Sequence, residues 1–212
     1  MRPTALTTLG LLLSTALLLS ACGSAGSSGA GGPPTVAASS TAQSEGCPGG
    51  EPEANEYAVL STAVNALFPD GADRFVVRGQ TGQVGDIEAL AKDASYPVGD
   101  DVVSDYKMKN VQPSCLGPGL KLHLPLTFLA PAEADAMFKG DLKTGWDQFY
   151  TRFPKAQGLM TLSRVGLARA GNQAVVYVAN QRQSLDGAGH FVILEMKDGV
   201  WTVVRKHQIF IS

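Results

Sequence analysis

The chain has 212 residues and a formal charge of −2, from 17 basic and 19 acidic side chains, with 44% hydrophobic and 17% charged residues. That hydrophobic share can build a real core, whereas the near-neutral balance excludes the concentrated basic surplus of a nucleic-acid binder. Three Cys at this length exclude a disulfide-dense mini-protein.

Residues 1–21 carry one base, Arg2, and an apolar run over 9–19. The run is too short for a spanning helix, which needs about 20 apolar residues, and it fits the core of a signal peptide. It ends in Leu19-Ser20-Ala21-Cys22, which resembles the lipobox of bacterial lipoproteins. The resemblance implies cleavage before Cys22, diacylation of its thiol, and an acylated amino terminus as a further modification. Two or more acyl chains hold a protein stably on a membrane, whereas one gives marginal binding. The competing reading is an ordinary signal peptide that releases a soluble protein.

Residues 23–53 include 8 Gly, 6 Ser, 5 Ala, 4 Pro and 2 Thr. Such a segment buries too little apolar surface to offset its ordering entropy. A flexible tether over 22–53, with a reach of roughly 30 Å, is expected to precede a single domain over 54–212. In an exported protein Cys47 and Cys115 are a plausible disulfide that would pin the end of the tether to the domain. Two unpaired thiols are the alternative.

Within the domain, apolar positions 57, 60, 63, 64, 67 and 68 predict a helix over 54–68, stopped by Pro69-Asp70-Gly71. A short strand is expected over 74–81, then helices over 86–92 and 101–109 behind acidic caps. Leu120, Leu122, Leu124, Leu126 and Phe128 alternate with polar residues and Pro125, the pattern of a half-buried edge strand. A helix over 131–138 has Pro131 near its first position. Trp146, Phe149, Tyr150 and Phe153 then form an aromatic helix face closed by Pro154. Four β-rich runs over 158–169, 173–183, 189–197 and 200–211 follow, the last two joined by Asp198-Gly199, a strong hairpin signal. The expected class is α+β, with N-terminal helices covering one face of an antiparallel sheet that ends in a four-stranded meander.

Charge is divided along the chain: residues 23–105 hold 12 acids and 3 bases, and residues 106–212 hold 13 bases and 7 acids. Complementary packing of the two halves explains this better than a cation site, because no D-x-[DN]-x-[DN]-G loop occurs. No nucleophile elbow, zinc, Walker or dinucleotide motif is present, so the sequence names no catalytic residue, no metal ligand and no cofactor. His123, His190 and His207 all fall on expected strands without a neighbouring ligand at metal spacing. A Ser163–His190 nucleophile pair, assembled across the fold, is the catalytic alternative. Arg164, a cation flanked by Leu162, Val165 and Leu167, calls for a buried carboxylate or an anionic ligand.

The run Trp146-Asp-Gln-Phe-Tyr-Thr-Arg-Phe-Pro154 is followed by Leu162-Ser-Arg-Val-Gly-Leu167, Ala174-Val-Val-Tyr-Val178, Gly187-Ala-Gly189, Gly199-Val-Trp201 and Phe210-Ile-Ser212. Together with Glu56 to Val59, Phe75 to Thr81 and Asp105 to Asn110, this pattern resembles a family of uncharacterised bacterial exported, lipoprotein-type proteins. Phe210 departs from it, where an indole is usual. The resemblance implies one domain and brings no activity with it. The expectation is a lipid-anchored domain of the bacterial cell envelope, facing the periplasm or the exterior. It would bind the membrane through acylated Cys22 and serve binding or envelope assembly with a protein partner. A small-molecule-binding or hydrolytic domain with a pocket between helices and curved sheet is the alternative.

Overall fold

The computed structural model describes residues 47–82, 86–92 and 96–212. The expected signal segment, Cys22 and the expected tether up to residue 46 lie outside the described residues. The fold is α+β. In chain order it runs α1 (Ala54–Leu67), β1 (Arg74–Arg78), α2 (Ile87–Ala91), α3 (Asp100–Lys109), β2 (Leu126–Leu129), α4 (Pro131–Met137) and α5 (Leu142–Arg152). Strands β3 (Ala156–Leu162), β4 (Gly166–Leu167), β5 (Gln173–Gln183), β6 (Asp186–Lys197) and β7 (Val200–Ile211) complete it.

The sheet has the order β2-β1-β3-β5-β6-β7, with β4 also pairing with β5. Strands β3, β5, β6 and β7 form the antiparallel meander. Asp198 and Gly199 make its last turn with φ of 52° and 78°, the double left-handed conformation that a two-residue hairpin demands. The rest of the sheet corrects the antiparallel expectation. Strand β1 runs parallel to both β2 and β3, so the sheet is mixed. Parallel neighbours need long crossovers, and here the β1-to-β2 connection carries α2 and α3.

Helices cover both faces, not one. On one side Tyr57, Leu60 and Val64 of α1 pack on Phe75, Met160, Val176 and Leu194. On the other, Val102 and Tyr106 of α3 meet Val175, Phe191 and Ile193, while Phe149 of α5 and Phe153 just after it meet Val76 and Leu159. Central strand β5 is therefore buried on both sides from Ala174 to Val178, which is why it reads as a continuous apolar run.

Two other expectations shift. The alternating segment 120–128 is strand only over Leu126–Leu129, at the sheet edge as Pro125 suggested. The expected strand over 158–169 breaks after Leu162. Leu162 pairs with Val178 and Gly166 with Val175, so four steps along one strand face three on the other. That is a β-bulge with one extra residue, and it sits at Ser163-Arg164-Val165. Beyond the bulge α3 crosses close over β4: a Cβ on Gly166 would lie 2.6 Å from the Val102 carbonyl and from Tyr106 Cβ.

The domain also begins earlier than residue 54. Cys47 and Cys115 form a disulfide with Cα atoms 5.3 Å apart. The Gly49 amide donates to the Pro113 carbonyl at 3.0 Å, and the Cys115 amide to the Gly50 carbonyl at 2.8 Å. Residues 47–53 thus belong to the folded unit. The bridge closes a loop with a sequence separation of 68, for which loop-closure entropy gives about 4 kcal/mol. Limited proteolysis followed by mass spectrometry should leave a fragment starting near Cys47 when the bridge is intact, and one starting near Ala54 after reduction. Identical fragments in both states would show that the bridge does not hold this segment.

Candidate functional site

Arg164 stands at the bulge and reaches into the α1 side of the sheet. Its Nε donates to Glu56 Oε1 at 3.1 Å and its Nη2 to Glu56 Oε2 at 2.5 Å, a bidentate pair. Nη1 donates to Ser114 Oγ at 2.9 Å and to the Gly49 carbonyl at 3.1 Å. The Arg164 amide donates to Asn110 Oδ1 at 2.8 Å, and Asn110 Nδ2 returns a bond to the Arg164 carbonyl at 3.2 Å. Glu56 is 1% exposed and Arg164 8%. Glu56 also accepts from the Glu53 amide at 2.9 Å, closing the capping box of α1, and has Lys109 Nζ 3.7 Å away.

Of the two partners the sequence left open for Arg164, the structure holds the carboxylate. The guanidinium joins α1, the disulfide-bearing loop and the N-terminal segment 47–53, and the Arg164 backbone adds Asn110 at the end of α3. The charge division along the chain has the same outcome at the surface: Glu88 pairs with Lys107, and Asp73 with Lys155 at 3.1 Å. With its N–H groups so engaged and its side chain buried, Arg164 is a cross-link within the fold.

Ser163 is fully buried. Its hydroxyl donates to the Arg164 carbonyl at 2.7 Å and accepts from the Tyr177 amide at 2.9 Å. It closes the gap the bulge leaves in the ladder, and is engaged there by backbone groups rather than by His190. His190 lies on β6, with its pKa lowered by burial and by Lys206, and its Nδ1 has no hydrogen-bond partner among the described residues. His123 lies in the loop before β2, where Nδ1 is 2.8 Å from Asn65 Oδ1 and the ring meets Phe75 edge-on. Among the described residues no three His, Cys, Asp or Glu are grouped to hold a metal ion. Burial raises the hydroxyls of Tyr106 and Tyr177 to about 12, so both stay protonated as core residues.

Open space lies on the opposite face, between α4–α5 and the sheet. One cleft of about 310 Å³ sits at the carboxyl ends of the parallel strands, lined by Arg78, Thr81, Pro131, Asp135 and Thr161 among others. A second, of about 170 Å³, shares Arg78 with it and adds Phe138, Leu142, Trp146, Leu159, Gln181 and Ser184. A third, of about 330 Å³, shares Trp146 and Ser184 with the second and ends at Tyr150 and the exposed hairpin residue Leu185. The three form one groove that starts at Arg78 and passes Trp146. The carboxyl edge of parallel strands is where α/β sheets commonly leave a ligand crevice.

None of the groove was singled out from the sequence as a site. Arg78 merely closes the run Phe75-Val-Val77, and Trp146 reads as core, which it is: 7% exposed, packed on Phe138 and Phe149. Tyr150 is half-buried, and its hydroxyl donates to the Arg182 carbonyl at 3.0 Å. Only the crossing of α5 over β3 and β5 brings these residues to Arg78. Set against family models, curated proteins and solved structures, the chain matches none of them.

Proposed function

We propose that the protein is a lipoprotein of the bacterial cell envelope, anchored to a membrane through acylated Cys22 and facing the periplasm or the exterior. There it acts by binding, without catalysis, with an envelope protein as partner. The observation that carries this reading is the Cys47–Cys115 disulfide, since such bridges belong to oxidising compartments outside the cytosol. It is placed where the tether would enter the domain. Against catalysis stands the use of Ser163 and Arg164 as internal cross-links.

The test is direct. Mass spectrometry of membrane-extracted protein should show an N-terminal acylated Cys22, and Cys22→Ala should move the protein to the soluble fraction. Unmodified wild type in the soluble fraction would overturn the anchor.

A second reading, a domain that binds a small molecule between its helices and its sheet, is favoured by the groove of α4–α5.

A further inference from the structure

The groove has a distinct chemical polarity. Its cation at one end is Arg78, 33% exposed at the side chain, at the last position of β1. Among the described residues its one ionic neighbour is Asp135, whose carboxylate is 4.0 Å from Nη1 and 80% exposed. That separation is beyond hydrogen-bond range, and such exposed pairs are worth little. Lys143, the cation near the other end, is engaged by Asp147 at 3.0 Å. Between the two ends the walls are Phe138, Leu142 and Trp146, with Leu142 48% exposed to solvent. Gln181 and Ser184 supply neutral polar groups along the sheet side.

A guanidinium with a planar fork of donors and, among the described residues, no bonded acceptor, set beside aromatic and aliphatic walls, suits a molecule with one anionic head and an apolar body. We propose that the groove is a binding site for a small amphipathic carboxylate, its head on Arg78 and its body along Phe138, Trp146 and Leu142. The inference rests on the small-molecule reading above and names the ligand class that reading leaves open. Each polar group has a role: Arg78 selects the charge, and the apolar wall sets the minimum length. Asp135 competes for the guanidinium and keeps affinity modest.

Octanoate, octanol and acetate separate these contributions. The full chain carrying Cys22→Ser, so that its own acyl groups are absent, is titrated with each while the Trp146 indole and Arg78 resonances are followed by NMR. Octanoate should shift both. Octanol should bind roughly 10-fold or more weakly, since a hydrogen bond to a charged group carries that much, and acetate at least as much more weakly, since it lacks the apolar body that the wall would bury. Arg78→Met should bring octanoate down to the level of octanol while leaving the melting temperature nearly unchanged. Asp135→Asn, at an exposed position, should tighten octanoate by up to about 5-fold, a gain that general loss of structure would not produce. No octanoate binding at millimolar concentration, equal affinity for octanol, or indifference to both substitutions would overturn the site. Acylated Cys22 with no octanoate binding would remove this site and leave the anchor standing. Octanoate binding by a protein that is never acylated would do the reverse.

Discussion

Arg164→Ala should cost about 3–5 kcal/mol of folding stability, because it strands a carboxylate that the fold has taken out of water. Glu56 is 1% exposed, and both of its oxygens are bound by the guanidinium. With Arg164 removed, the cation left beside it is Lys109 at 3.7 Å, on a side chain 27% exposed. The Ser114 hydroxyl loses a donor at the same time and keeps its own bond to the Gly49 carbonyl at 3.0 Å. The loss is a large part of the 5–15 kcal/mol that typically holds a domain together. A double-mutant cycle with Glu56→Gln separates the cause: the double variant should lose less than the sum of the singles, since neither partner is then left charged and alone. Denaturant melts of the four proteins measure this. A loss below about 1 kcal/mol for Arg164→Ala would mean the pair is no cross-link.

How much of this was legible beforehand depends on range. The Asp198-Gly199 hairpin, the 54–68 helix and the aromatic face of α5 are local patterns, and each appears within a residue or two of its expected place. Arg164 was legible as an anomaly, because a cation between Leu162 and Val165 demands a partner wherever the chain folds. Its partner was not, since Glu56 lies 108 residues away and the bulge that aims the side chain is a pairing event. Parallel pairing of β1 was hidden for a similar reason. Phe75, Val76 and Val77 are buried on both faces, and a short apolar run carries no sign of its neighbours' direction. The two-sided helix cover was written in Ala174 to Val178, an unbroken apolar stretch that a one-sided sheet would not need. Gly187 falls between the expected runs 173–183 and 189–197 but lies inside β6, as does Gly189, where Tyr177 Oη and the Phe210 ring leave no room for a Cβ.

Phe149→Ala should be equally costly, and for a different physical reason. Phe149 is fully buried and sits amid a ring cluster: Trp146 and Phe153 at 5.3 Å between centroids, Tyr150 at 5.1 Å and Phe138 at 6.4 Å. Truncation removes the transfer energy of the ring and leaves a cavity whose walls are themselves rings on a short helix, which relax poorly. A loss of roughly 3–5 kcal/mol follows. The neighbouring Tyr150 gives the contrast. It is half-buried, and its hydroxyl contributes one bond, to the Arg182 carbonyl. Tyr150→Phe should therefore cost about 0.5–1.5 kcal/mol. The two variants also probe whether the groove is carried by the core beneath it: Phe149 lines none of the three clefts, while Tyr150 lines the outermost. A Phe149→Ala protein as stable as wild type would show that α5 is not fastened to the sheet by its aromatic face. The groove walls built from Trp146 and Leu142 would then lose their support.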